Sequence, residues 1–305
     1  MTDKLRAHLY LHFCVFIWGF TAILGKLISL EAVPLVWWRV LLASTTLLLL
    51  IPRQQWLGLS GRVFFQLFGV GVLVALHWLC FYGAIKMSNA SVAVATMATT
   101  SFFSAMTEPL ILKKKMQWYE LGLGIMILPG MALVVGNISL GMRMGFGLGL
   151  IGALLAAIFS GLNKKILEQQ PPPALVMSLV EFFAATCVCS LILPFLWWHS
   201  PETVIMPSGS DWIWLLVLTW VCTLLPHYLC LQAMRHISAF VTNLTINLEP
   251  IYGVLLAIVL FREDKVLNQH FYLGMLVILL AVFGHPFLKN IFGKKSVIAP
   301  KMYGD

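Results

Sequence analysis

Ten apolar stretches of about 20 residues each follow one another along this chain, joined by short polar loops. A hydrocarbon core about 30 Å thick is crossed by about 20 helical residues rising about 1.5 Å each. Each stretch therefore has the length of one transmembrane helix. The expected spans are residues 9–28, 33–51, 64–85, 90–112, 121–135, 146–162, 174–193, 212–234, 239–261 and 271–287, the fifth starting as early as Trp118. Hydrophobic residues make up 60% of the chain and charged residues 10%. That balance would coat a water-soluble domain in one continuous apolar surface. The fold class is an all-α membrane protein with ten transmembrane helices, and no loop is long enough to hold a catalytic domain.

Lys and Arg placement orients the chain. With the N-terminus inside, fourteen basic residues fall in inner segments, including Arg53, Arg62, Lys113 to Lys115, Lys164, Lys165 and Arg235. Five fall outside: Lys26, Lys86, Arg143, Arg262 and Lys265. Cytoplasmic loops retain Lys and Arg, so both termini are expected in the cytoplasm of an integral, multi-pass protein of the plasma (inner) membrane. Residues 289–305 read as a basic cytoplasmic tail. The net charge of +8 fits an anionic inner leaflet. Dispersed over short loops, it makes no nucleic-acid surface. The first apolar run is long enough to span and no A-x-A site follows it, so it reads as a helix and not a leader. The six cysteines all fall within expected spans, as small apolar residues.

The chain repeats itself. His77-Trp78-Leu79-Cys80 in the third span answers His227-Tyr228-Leu229-Cys230 in the eighth, at an offset of 150. Phe20-Thr21 and Lys26 answer Phe159-Ser160 and Lys165 at 139, and Arg39 stands 13 residues before Pro52 as Glu181 stands 13 before Pro194. Two units follow, residues 9–139 and 145–288. Five helices each is an odd number, so the second unit enters the membrane from the opposite side. Inverted repeats of this kind build alternating-access transporters with a substrate site near the midplane. Gly145, Gly147, Gly149 and Gly152 allow close helix approach in span six.

These features resemble the EamA-type members of the drug/metabolite transporter superfamily. The second half keeps the family pattern in residues 231–239, then Leu248-Glu249-Pro250, then Glu263. The first half departs from it, with Ser101 in place of the proline and Lys114 in place of the closing glutamate. The resemblance covers roughly residues 10 to 288. It implies two five-helix units with helices five and ten peripheral, and a metabolite exporter whose commonest cargo is an amino acid or related compound.

Charged groups inside a span are costly and mark a pathway, a pair or a relay. Four occur: Arg39, Glu108, Glu181 and Glu249. Glu249 is ten residues into span nine, about 15 Å deep, beside Pro250, whose missing N–H breaks the local ladder. It is the residue expected to be most coupled to turnover, by taking up a proton or a cationic group. Thr96, Thr100, Ser104 and Glu108 form one polar row on span four. With Asn243, Asn247 and Glu249 of span nine, Thr96 and Thr100 are expected to line a shared cavity. Interhelical hydrogen bonding is the alternative for the two asparagines, and for Glu108 an ion pair with Lys113 to Lys115 is preferred. Arg39 and Glu181 occupy equivalent repeat positions, about 10 Å apart in depth. Bridging each other is one reading; the preferred ones are that Arg39 snorkels outward or binds an anionic substrate group. His77 and His227 are candidates for a proton relay or for packing. Trp18, Trp78, Tyr82, Tyr228 and Tyr252 are candidate aromatic walls for a non-polar or cationic moiety.

No metal-ligand spacing, nucleotide-binding motif or catalytic cluster is present in the sequence, so no cofactor and no enzymatic activity are expected. The reading is a secondary transporter whose partners are a small-molecule substrate, membrane lipid and protons as a candidate coupling ion. Multidrug or cation efflux, and a membrane enzyme or scaffold, are the alternatives. The sequence leaves the substrate, direction and oligomeric state open.

Overall fold

The computed structural model describes residues 2–136, 138–262 and 269–292. Among these residues all regular structure is helical. Eight stretches are long and apolar enough to cross a membrane: Asp3–Leu27, Ala32–Leu50, Gly61–Met87, Ala90–Leu112, Leu140–Gln169, Ala174–His199, Gly209–Met234 and Ala239–Phe261. Two further helices, Trp118–Gly136 and Gln269–Phe292, cover the fifth and tenth expected spans. Glu263, Lys265 and the tail beyond Phe292 lie outside the described residues.

The first half contains α1 (Asp3–Trp18), α2 (Thr21–Leu27), α3 (Ala32–Leu50), the short α4 (Arg53–Leu57), α5 (Gly61–Met87), α6 (Ala90–Met97), α7 (Thr100–Leu112) and α8 (Trp118–Gly136). The second contains α9 (Arg143–Gln169), α10 (Ala174–His199), α11 (Gly209–Leu216), a π-helical turn (Val217–Leu224), α12 (Leu225–Met234), α13 (Ala239–Ile246), α14 (Glu249–Phe261) and α15 (Gln269–Phe292).

Three spans expected as single helices are broken near mid-length. The first breaks at Gly19, where a Cβ would stand 2.7 Å from that of Tyr252 on α14. The fourth and ninth break between Met97 and Thr100 and between Ile246 and Glu249, the same place at an offset of 149. Pro250 accounts for the ninth, because it has no N–H to give the preceding turn. No proline accounts for the fourth. There the hydroxyls of Thr96, Thr99 and Ser101 bond the carbonyls of Ala93, Thr96 and Ala98 at 2.6, 2.7 and 3.3 Å. Side chains that bond their own backbone in this way compete with the helical ladder. The two half-helices also end alike. Lys113 (φ 52°, ψ 41°) and Arg262 (φ 54°, ψ 39°) cap α7 and α14 in the left-handed region, again 149 residues apart.

Packing between the halves is reciprocal. The helix α1 lies on α12 and α5 on α9, α3 faces α10, α6 faces α14, α7 faces α13, and α8 packs on α15. Two large apolar clusters close opposite ends of the bundle. One includes Ile28, Leu30, Leu35, Ile85 and Leu215, and the other Val63, Leu67, Ile166, Met177 and Met234. Hydrogen bonds tie each end. Lys86 donates to the Ile28 carbonyl (2.8 Å), and Asp211 accepts from the Ser29 amide and hydroxyl. At the other end Lys164 donates to the Met234 carbonyl (2.7 Å) and Arg235 to that of Pro172 (2.5 Å).

Glycines set the closest approaches. A Cβ on Gly149 would meet the Thr96 hydroxyl at 2.1 Å, and one on Gly71 would meet the backbone carbonyl oxygen of Glu181 at 2.3 Å. Backbone cannot rotate away, so Gly71→Ala must separate α5 from α10. That change is expected to cost about 1–3 kcal/mol, read as a lower thermal midpoint in detergent. Gly69→Ala on the same helix meets nothing within 4 Å and is expected to leave the midpoint unchanged.

Candidate functional site

Where the broken helices meet, between the two apolar clusters, the bundle encloses a cavity of about 120 Å³. Both halves line it. The first contributes Trp18 and Thr21 beside the α1 break, Arg39, His77, Trp78, Phe81 and Thr100. The second contributes Phe159, Ser160, Asn163, Thr223, His227, Asn243 and Glu249. The walls are aromatic, and the polar groups converge from seven spans.

Arg39 is 2% exposed and does not snorkel outward. Its guanidinium stacks 4.0 Å over the Trp78 ring, and its Nε donates to the Thr223 hydroxyl at 2.6 Å. Its Nη1 donates to the Tyr82 hydroxyl at 3.0 Å. The Thr223 hydroxyl donates its own hydrogen bond to the Leu218 carbonyl, five residues back inside the π turn (2.6 Å). The irregular turn thus orients the acceptor that holds Arg39. These contacts engage Nε and Nη1 and leave Nη2 without a partner among the described residues. A guanidinium nitrogen left with its donors free is suited to a carboxylate oxygen.

Glu249 opens α14 at the break, 6% exposed. Among the described residues its carboxyl makes no hydrogen bond and no ion pair. Arg39 shares the cavity with it, yet the two stand beyond ion-pair distance. Glu181 does not reach Arg39 either. It is fully buried and accepts from His227 Nε2 at 3.0 Å. His77, the repeat counterpart of His227, instead bonds the Gly152 carbonyl through Nδ1 at 2.8 Å.

The polar row on span four divides. Thr100 reaches the cavity, whereas Thr96 is buried against Gly149. Asn243 donates to the Ser104 hydroxyl at 2.5 Å and accepts from that of Ser160 at 3.2 Å. Asn247 donates to the Ser101 hydroxyl at 2.7 Å and lies off the cavity. Both asparagines therefore tie α13 and its break to α7, and only Asn243 also lines the cavity. Glu108 is not paired with Lys113 to Lys115. Its carboxylate accepts from the Phe240 and Ala239 amides and so caps the start of α13, while Lys114 pairs with Glu168 at 2.9 Å. Tyr82 stands behind the cavity, holding Arg39. Tyr228 bonds Gln232 away from it (3.3 Å), and Tyr252 lies 37% exposed at the α1 break, off the cavity. Thr21, Ser160, Asn163 and Thr223 were not singled out in the sequence. For Thr21 and Ser160 the signal was the repeat, in which they are counterparts; Asn163 and Thr223 had none.

A model of the EamA-like transporter family matches residues 5–136 and again residues 143–285. The chain belongs to that family. It is thereby a member of the drug/metabolite transporter superfamily, built from two EamA repeats. A solved crystal structure described only as that of a protein matches with a TM-score of 0.70 at 13% identity, over 93% of this chain and 98% of that one. At that identity the likeness speaks for the fold alone. No functionally curated protein matches the chain in sequence. Arg39 and Glu249, which both line the cavity, come from opposite repeats.

Removing the Glu108 cap by Glu108→Ala strands two buried amides at the start of α13. The expected cost is about 1.5–3 kcal/mol, measured as thermal stability in detergent. Because a buried hydrogen bond is not screened, the loss should be equal at low and high salt. A salt-sensitive loss would return Glu108 to an ion pair.

Proposed function

We propose that this EamA-like transporter is a secondary-active exporter of the inner membrane that moves a small zwitterionic metabolite, an amino acid or a close relative. Its ten helices form two inverted five-helix units, with both termini in the cytoplasm, and transport proceeds by alternating access between those units. The reciprocal packing, the helix breaks 149 residues apart and the matched left-handed caps support the inverted pair. The excess of inner Lys and Arg supports the orientation. The outward direction rests on the family resemblance.

The observation that supports the substrate class is that Arg39 and Glu249 face one cavity from opposite repeats without forming an ion pair. Leaving two opposite charges apart at membrane depth is costly. A zwitterion offsets that cost by placing its carboxylate on Nη2 of Arg39 and its ammonium on Glu249. Trp18, Trp78, Phe81 and Phe159 then cover its side chain. Organic cations lacking a carboxylate satisfy Glu249 but leave Arg39 bare, which disfavours cation efflux.

The test is uptake of labelled amino acids, and of their decarboxylated and N-acetylated forms, into proteoliposomes with and without a pH gradient. Amino acids should be carried and both modified forms refused. Glu249→Gln and Arg39→Gln should each lower transport by about tenfold or more, the worth of one lost charge-assisted contact, with folding intact. Transport of the amines and refusal of the amino acids would establish the cation reading instead.

A further inference from the structure

The repeat places Arg39 and Glu181 at equivalent positions, each one span away from a histidine of the duplicated motif. In the first half the position became a cation that does not bond its histidine. In the second it became a carboxylate bonded to His227. Glu181 is fully buried, and its Oε2 accepts from His227 while Oε1 has no partner among the described residues. An unpartnered, buried carboxylate oxygen is among the more costly features a membrane interior can hold. His227 itself lines the cavity. With Nε2 committed to Glu181, its Nδ1 is the atom left to meet the cavity.

We propose that His227 and Glu181 form the proton-carrying site of this transporter, separate from the Arg39 and Glu249 pair that holds the substrate. This rests on the transport reading above. A proton from cavity water adds to Nδ1 of the neutral imidazole. The proton on Nε2 passes along its hydrogen bond to Glu181 Oε2. The ring ends neutral, carrying its hydrogen on Nδ1, and Glu181 ends as a neutral acid donating back to Nε2. One proton has left the cavity and one carboxylate has been discharged, and the reverse sequence returns it. The charged and titratable groups around the pair are Arg39 on α3, His77 on α5, Glu249 on α14, Cys230 on α12 and, toward the inner end, Lys164 on α9. Aromatic contacts run from the substrate side to the proton side. Arg39 lies over Trp78, Trp78 lies 5.7 Å from Phe182, and Phe182 lies 4.8 Å from the His227 ring. A carboxylate that draws Arg39 off Trp78 would be felt at His227.

The experiment uses the full-length protein reconstituted in lipid and has two arms. In the first, infrared difference spectra recorded across a pH titration follow the carbonyl stretch of protonated carboxylic acid. A band present in the wild type, absent in Glu181→Gln, retained in Glu249→Gln and shifted in its pH midpoint by His227→Gln supports the site. Identical titrations in wild type and Glu181→Gln overturn it. In the second arm, labelled L-leucine uptake is compared with and without an imposed pH gradient. The ratio of the two rates should fall to unity in Glu181→Gln and His227→Gln, whatever their absolute rates, with partial recovery in Glu181→Asp. Leucine transport still driven by the gradient in Glu181→Gln overturns the proposal. A Glu181 band in protein that carries no amino acid upholds the proton site and overturns the zwitterion reading, so the two failures are distinct.

Discussion

A membrane interior supplies no water to a polar group, so each break in a helix must be held by another part of the protein. That constraint organises this molecule. The halves α6/α7 and α13/α14 break at the same repeat position and lie against each other, and the polar side chains freed there are used to join them. Asn243 bonds Ser104 and Ser160, Asn247 bonds Ser101, and Glu108 caps the first turn of α13. The breaks open space at the centre of the bundle. The asparagine–serine bonds keep that space from collapsing, and the apolar clusters at both ends keep it from opening freely.

Duplication supplied the scaffold and divergence supplied the chemistry. Backbone features recur: the breaks, the left-handed caps and the packing of each first helix on the other unit's third. Side chains at matching positions differ in charge and partner. Arg39 answers Glu181, Thr100 answers Glu249, and His77 on a carbonyl answers His227 on a carboxylate. A symmetric cavity would carry two like charges, which repel. The asymmetric one sets Arg39 on one repeat against Glu249 on the other, the pair on which the zwitterion proposal rests.

Much of this was legible in the residues. Span length and apolarity located the helices, since the thickness of hydrocarbon leaves little freedom, but their ends run up to seven residues beyond the expected ones, as where α9 continues to Gln169. The repeat and the Glu249-Pro250 pair pointed to the ninth break. The fourth break was hidden, because Ser101 stands where a proline would have announced it and the hydroxyls of Thr96 and Thr99 do the same work more quietly. Depth along a helix singled out Arg39 and Glu249, and the repeated motif His77 and His227, but neither carries an azimuth. Thr96 shares a row with Thr100 and yet turns to Gly149, because α9 approaches there. Glu108 was assigned to the lysines nearest in sequence, whereas the amides that claim it belong to a helix 132 residues away. Partners of that kind depend on which helices touch, and a single sequence does not record that.

The central claim is that one cavity, shared by both repeats, faces one side of the membrane at a time. Its most direct test is a cysteine placed at Thr100 or Ser160 after the six native cysteines are replaced. Each is then labelled with a membrane-impermeant thiol reagent from either face of oriented vesicles, with and without a pH gradient. Labelling from a single face, switching to the other when the gradient is reversed, is the predicted result. Protection from both faces under every condition, or simultaneous access from both, would contradict it.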